Sequence, residues 1–250
     1  MTSRSSVGNK KRALVTGGGS GIGLAIARGL ADAGYNVAVA GRDSKKLKET
    51  GLPSYPVDVT DEASVAALAK AAGPIDIFVA NAGAAPTAPT LKTSRAVWDK
   101  ALAVNLTSVF SCAQAFVPGM IERGFGRFIA IASTAAYRAY PYVGAYAAAK
   151  HGVLGWVKTL ALEHAKSGVT FNAICPGFTD TPLIARAVDR LAEKVGGDVE
   201  AGKRLLARDN PLGRLVKPEE VAAAALYLAS EAAASVDGQS IIIDGGELIS

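Results

Sequence analysis

The chain has 250 residues, half of them hydrophobic, and a formal net charge of +5. That length accommodates one large α/β domain with a substantial core, and no apolar run reaches the ~20 residues needed to span a bilayer. Two isolated cysteines and two histidines leave no metal-ligand spacing, and the lysines and arginines are scattered, which argues against a nucleic-acid surface and suits an anionic small ligand.

In chain order, residues 1–12 (MTSRSSVGNKKR) lack the apolar segment of a secretory signal and read as a short flexible tail. The two isolated cysteines suit a reducing, cytoplasmic setting. ALVT at 13–16 is a short apolar run, read as a buried strand. GGGSGIG follows at 17–23, then helical periodicity over 24–33 closing at Gly34. Strand, glycine turn and helix together suit a phosphate, because glycines let backbone approach it and the helix start offers N–H groups. The turn residues Gly17, Gly19, Ser20, Gly21, Ile22 and Gly23 are therefore candidate cofactor contacts. Their spacing is T-G-x-x-x-G-x-G rather than G-x-G-x-x-G, and a merely tight turn is the competing interpretation.

Residues 36–40 form a second strand. A dinucleotide site usually places an acid at its end to bind the ribose 2′-hydroxyl, but here Gly41-Arg42 stands in that place. A guanidinium suits a 2′-phosphate, which favours NADP(H) over NAD(H). Asp43 reads as the N-cap of a short helix over 44–49. A third strand at 55–57 leads to Asp58 and Val59. Asp58 can accept from an adenine amine or cap the helix over 61–72, and both remain open. A fourth strand at 75–80 leads into Asn81, Ala82 and Gly83, which make either a simple turn or room for a ribose. After a polar loop at 84–93, residues 95–120 read as one long helix carrying Asn105, a polar group that needs a partner if it faces the core.

A fifth strand at 126–132 delivers Ser133 at its end. YAAAK at 146–150 places Tyr146 and Lys150 on one helical face, four residues apart. A cation beside a phenol lowers its pKa, so Tyr146 is a candidate general acid/base, tuned by Lys150, with Ser133 holding the substrate oxygen. A surface Tyr and Lys on an Ala-rich helix is the bland alternative. Tyr137, Arg138, Tyr140 and Tyr142 lie between Ser133 and Tyr146 and either line a pocket or pack at its edge. The Tyr146 helix runs to about residue 165, and a sixth strand at 169–174 leads to CPGFTDTP at 175–182. Residues 183–208 mix helical signal with Gly196-Gly197 and suit a substrate lid. A helix from 218 to about 230 and a strand at 240–244 complete the chain. This alternation predicts a single α/β domain over 13–250, a Rossmann-like doubly wound parallel sheet with helices on both faces.

TGGGSGIG, DVT at 58–60, NAG at 81–83, Asn105, Ser133, YAAAK, PGFTDT at 176–181 and the closing DGG at 244–246 occur in an order that resembles the short-chain dehydrogenase/reductase family over nearly the whole chain. The resemblance implies an NAD(P)-dependent oxidoreductase acting on a carbonyl/alcohol pair, with Asn105, Ser133, Tyr146 and Lys150 as its tetrad. It further implies cofactor contacts from Tyr146, Lys150, Pro176, Gly177, Thr179 and Thr181, a water held by Asn105, and a homotetramer. Ala80 departs from the family pattern, where many members carry a second Asn, and Ser20 stands where some NADP-using members carry a basic residue. The run KHGVLGWVKTLALE resembles the branch of 3-oxoacyl and acetoacetyl-CoA reductases, polyketide reductases and hydroxybutyrate dehydrogenases. A 3-oxoacyl thioester or related ketone is the leading substrate class, with Arg138 suited to an anionic one. A secondary, cyclic or sugar-like alcohol is the alternative, and a nucleotide-sensing protein without turnover the alternative of another class. Neither a nucleic acid nor a membrane is expected as a partner.

Overall fold

A computed structural model describes residues 10–249, so residues 1–9, most of the expected flexible tail, lie outside the described residues. The strands are β1 (Arg12–Thr16), β2 (Asn36–Gly41), β3 (Ser54–Pro56), β4 (Ile77–Ala80), β5 (Gly126–Ile131), β6 (Val169–Pro176) and β7 (Ser240–Ile243). They form one sheet in the order β3-β2-β1-β4-β5-β6-β7, every pair parallel. The order reverses between β1 and β4, where a doubly wound sheet opens a crevice at its carboxyl edge.

The helices are α1 (Gly21–Asp32), α2 (Ser44–Glu49), α3 (Glu62–Ala72), α4 (Arg95–Leu102), α5 (Ser108–Glu122), α6 (Gly144–Glu163), α7 (Ala185–Glu193), α8 (Val199–Leu206) and α9 (Pro218–Ala229). Alternate strand residues serve opposite faces, as the period of two requires. Leu14, Phe78, Phe128 and Phe171 pack with α3, α5 and α6 on one face. Val15, Ile77, Ile129 and Ile174 pack with α1 and α9 on the other. Phe78 stacks on Phe128 with ring centroids 5.6 Å apart and leans on Phe116 of α5 at 4.5 Å. Each such fully buried side chain contributes about 1.5–3 kcal/mol of burial free energy.

The expected doubly wound fold is therefore present, with local differences that include a fourth strand beginning at Ile77 rather than at residue 75. The third strand begins at Ser54, one residue before the expected start. Asp61, not Asp58, caps α3, by accepting from the Ala63 N–H at 3.0 Å. The expected single helix over 95–120 is α4 and α5 joined by a π-helical turn at Ala103–Thr107. Residues 183–208 hold two helices, α7 and α8, packed on each other. The run Arg95–Glu122 is long and apolar enough to cross a membrane by length and composition, although charged and polar residues interrupt it. In this fold α5 buries Val109, Cys112, Phe116 and Met120 against the sheet.

Candidate active site

The glycine turn is tied to the end of β4 by two side chains. Thr16 ends β1, and its Oγ1 accepts from the backbone N–H groups of Asn81 at 3.0 Å and Ala82 at 3.2 Å. Asn81 returns the tie, its Nδ2 donating to the Thr16 carbonyl at 2.9 Å and the Gly17 carbonyl at 3.3 Å. Gly17 has φ +65°, and a Cβ there would stand 2.8 Å from Asn81 Nδ2, so only glycine fits. Asn81 thus shapes the turn through its side chain. Thr16, which sequence reasoning missed, does the same work; its signal was a hydroxyl at the last position of a buried strand.

Asn105 sits in the π-helical turn and is fully buried. Its Nδ2 donates to the carbonyls of Ala84 at 2.8 Å and Ala101 at 2.9 Å, and its Oδ1 accepts from the Ala84 N–H at 3.2 Å. The buried amide therefore has the partners it needs, and they clamp the loop after β4 to the helix. A Cβ on Gly83 would come within 2.9 Å of Asn105 Oδ1, which explains glycine at that place.

Ser133 follows β5 and caps a single turn of 3-10 helix at Thr134–Ala136, its Oγ accepting from the Ala135 N–H at 3.1 Å. Tyr146 lies in the first turn of α6, and Lys150 is one turn on, with its Nζ 5.6 Å from the Tyr146 ring centroid. Lys150 is buried and donates to the Ile131 carbonyl at 2.7 Å, so the last residue of β5 orients the ammonium. Burial lowers the Lys150 pKa to about 8. Burial also raises the Tyr146 pKa, with the Ser133 hydroxyl acting in the opposite direction and Cys175 reinforcing the rise. The expectation of a phenol lowered by Lys150 is thus not met: desolvation outweighs a cation whose proton is directed at a carbonyl.

These groups open into one cleft of about 1190 Å³ at the carboxyl edge of β1, β4, β5 and β6. That exceeds the ~300–1,000 Å³ of a single drug-sized site and leaves room for a dinucleotide and a substrate. Ser133, Tyr146, Lys150 and Asn105 all line it. Gly17, Ser20, Gly21 and Ile22 line it from the glycine turn, and Asn81, Ala82 and Gly83 from the end of β4. Pro176, Gly177, Thr179 and Thr181 close it on the β6 side.

Five expected contacts are not on this lining. Gly19 faces α2, where a Cβ would stand 3.2 Å from the Lys46 Cβ. Gly23, in the first turn of α1, packs against the Asn81 amide and the Gly17 carbonyl. Arg42 and Asp58 follow β2 and β3, and the charge of Arg42 reaches Asp58. The Asp58 pKa is lowered, first by hydrogen bonds from the Thr60 N–H and hydroxyl, then by Arg42. Val59 is buried in the core, so only its backbone is available.

Of the four residues between Ser133 and Tyr146 left open, Tyr140 and Tyr142 line the cleft and Tyr137 and Arg138 do not. Arg138 is held by Asp209 at 3.2 Å and by Glu247, so it is no free cation for a substrate. Tyr142 has φ +68°, a strained conformation for a non-glycine residue that costs on the order of 1 kcal/mol or more. Its carbonyl accepts from the Ala88 N–H at 2.8 Å, which joins the loop after β4 to the rim of the cleft. Phe178 and residues of α7, which lies within the segment 183–208 expected to form a lid, also line the cleft, though neither was named residue by residue from the sequence.

The donor set suits a nicotinamide dinucleotide. Ser20 caps α1 without a side-chain hydrogen bond, leaving the first N–H groups of that helix to the glycine turn, where they favour an anion. A bound nicotinamide supplies or accepts a hydride, and the protein supplies position and electrostatics.

A family model described as "Enoyl-(Acyl carrier protein) reductase" matches residues 17–247. The chain is 41% identical to D-beta-hydroxybutyrate dehydrogenase of Cupriavidus necator, over 95% of this chain and 98% of the relative. It is 41% identical to acetoacetyl-CoA reductase of Rhizobium meliloti, over 94% of this chain and 97% of the relative. Among solved structures it resembles a single-substitution variant of actinorhodin polyketide ketoreductase with NADPH, at TM-score 0.87 and 36% identity, covering 95% of this chain and 97% of that one. Matched along nearly its whole length, and with a dinucleotide-sized cleft over the β1/β4 crevice, the chain belongs to the short-chain dehydrogenase/reductase family of NAD(P)-dependent oxidoreductases, which interconvert carbonyls and alcohols.

Proposed function

We propose that the protein reduces the ketone of a 3-oxoacyl thioester, or a related ketone, with NADPH as hydride donor. The observation that carries this reading is the convergence of Ser133, Tyr146 and Lys150 on one cleft beside the glycine turn. Ser133 and Tyr146 hydrogen-bond the substrate carbonyl. Tyr146 keeps its proton at neutral pH, because burial raises its pKa, and passes it to the oxygen as the carbon is reduced. Lys150 carries the positive charge that offsets the phenolate left behind and holds the nicotinamide ribose. Asn105 has both amide protons committed to backbone carbonyls, and its Oδ1 accepts from Ala84. Its contribution is to hold the loop at 81–84 in place, and any water it keeps binds at the remaining Oδ1 lone pair.

Arg42 supports the choice of NADP(H), since no carboxylate ends β2. Lys46, whose α2 backbone approaches Gly19, adds a second cation beside the turn. Residues 183–208 act as a lid through α7, which lines the cleft. The protein works in the cytoplasm as a homotetramer, without nucleic-acid or membrane partners. In support of assembly, Phe110 on α5 and Trp156 on α6 form an apolar surface pair with ring centroids 5.4 Å apart.

Turnover of acetoacetyl-CoA, a cyclic diketone and a secondary alcohol, each with NADPH and NADH, tests this reading. Reduction of acetoacetyl-CoA at a kcat/KM about tenfold or more above the others, with NADPH preferred, is expected. Steady activity on uncharged alcohols alone with NAD overturns it in favour of the alcohol dehydrogenase alternative.

A further inference from the structure

Tyr142 combines two costs at one residue. Among the described residues it is the one non-glycine with a left-handed backbone, φ +68°. A bulky side chain is strained there, where glycine or asparagine sits with little or no penalty. The residue is also 60% exposed, so its ring has little of the chain to pack on. The backbone is held from both sides. Pro141 precedes it, and Val143 after it accepts from the Ala147 N–H at 2.8 Å as α6 begins. The Tyr142 carbonyl accepts from the Ala88 N–H at 2.8 Å. Thr90 packs beside Gly144, where a Cβ would stand 3.6 Å from the threonine methyl group. The loop after β4 and the start of α6 therefore fix the conformation, and strain of this kind persists only where the surroundings over-determine it.

A turn needs none of this, because a glycine at 142 makes the same bend without strain. The ring therefore has another use, and its position indicates which. Tyr142 lines the cleft that holds Ser133, Tyr146 and Lys150. Among the described residues, Tyr142 and Leu183 are the two large exposed apolar side chains that belong to that lining. Thr87, Ala88 and Pro89, from the loop to which Tyr142 is bonded, line it as well. Tyr140 is spent inside the protein, its hydroxyl on Thr134 and Glu247 and its ring on Phe178. Arg190 and Lys194 join the lining from α7, with Glu193 beside them, so the mouth offers cations together with apolar surface.

We propose that Tyr142 is a specificity-determining residue whose ring covers the part of the substrate beyond the reacting ketone. It favours a ketone carried on a long arm, such as an acyl thioester, over a small ketone that ends before the rim. An arm lying across the ring removes the apolar area of both from water. The strained backbone holds the ring at the rim before the substrate arrives, so the cost of ordering it falls on folding and not on binding. This deepens the proposed ketone reduction and rests on that reading for the placement of the ketone at Ser133 and Tyr146.

The test compares kcat/KM for acetoacetyl-CoA with that for ethyl acetoacetate. The wild type is expected to prefer the thioester by about tenfold or more. Tyr142→Gly removes the ring and relaxes the backbone, and the preference should narrow to about threefold or less, with most of the loss in the KM for the thioester. Its urea midpoint should equal or exceed that of the wild type, which a ring needed only for packing would not allow. Tyr142→Phe keeps the ring and should keep the preference within about threefold of the wild type. Tyr142→Asn, which also accepts this backbone, takes the place of Tyr142→Gly if circular dichroism shows that variant unfolded. No thioester preference in the wild type, a preference unchanged in Tyr142→Gly or lost as fully in Tyr142→Phe, or a midpoint lowered in both the Gly and Asn variants overturns the inference. If neither ketone is turned over, the reduction reading fails, and calorimetric titration of acetoacetyl-CoA into the protein saturated with NADP+ decides this inference by itself. Affinity weakened about threefold or more in Tyr142→Gly then supports it, and a smaller change or no binding overturns it.

Discussion

Tyr146 and Lys150 show how far a spacing argument reaches at the scale of single residues. Four residues apart on α6, they share a face, as the helical period requires. Their titration is set by depth: burial raises the phenol and lowers the ammonium to about 8. A phenol that keeps its proton is a donor, so Tyr146→Phe should lower kcat for ketone reduction by about 10²–10⁴-fold, while NADPH affinity by fluorescence titration stays within about twofold. Activity within tenfold of the wild type would remove Tyr146 from the mechanism. Lys150 makes a separate pH prediction. Below its pKa the ammonium is charged; as pH rises through about 8 it loses the proton and the charge that offsets the phenolate. The rate of reduction should therefore fall with rising pH around that value. In Lys150→Arg the guanidinium stays charged, and this limb should be absent from whatever activity remains. A limb that persists unchanged in that variant assigns it to another group.

At the scale of elements, the π-helical turn at Ala103–Thr107 is the local feature that places Asn105. π turns interrupt α-helices at functional sites, and the side chain here takes the Ala101 carbonyl, one helical turn back. Asn105→Ala leaves the Ala84 N–H and two carbonyls without their partner. It should cost about 1–3 kcal/mol of stability, measured by urea unfolding, and speed amide exchange at 81–84 more than elsewhere. Uniform exchange across the sheet would make Asn105 a plain core residue. The elements themselves were legible because each is short and strongly patterned: ALVT, IDIFVA and FIAIA read as buried strands, and Asp43 as a cap, which the structure bears out with bonds to the Lys45 and Lys46 N–H groups. The break in the 95–120 helix was not legible, since AVNLT carries no proline or glycine to mark it. The role of Asp58, open in the sequence, is narrowed by geometry: Asp61 caps α3, and Asp58 spends its carboxylate on Thr60.

At the scale of the whole molecule, Phe110 and Trp156 lie on the outward faces of α5 and α6, beside a shallow groove that includes Leu106, Gly152 and Gly155. Assembly through this face predicts a tetramer by sedimentation velocity and a smaller species for Phe110→Glu, because a desolvated charge at an apolar contact is costly. A clean wild-type monomer refutes the assembly. The chain by itself determined the parallel doubly wound sheet, the glycine turn and the shared helical face of Tyr146 and Lys150, because strand period, turn chemistry and helical spacing are local properties of consecutive residues. Only the tertiary structure decided which charges remain available. Arg138 lies five residues from Ser133 and looks free in the sequence, yet residues 209 and 247, far along the chain, take its guanidinium. Ion pairing and desolvation depend on what the fold brings into contact, and that is why the reaction was readable from the residues while the character of the substrate wall was not.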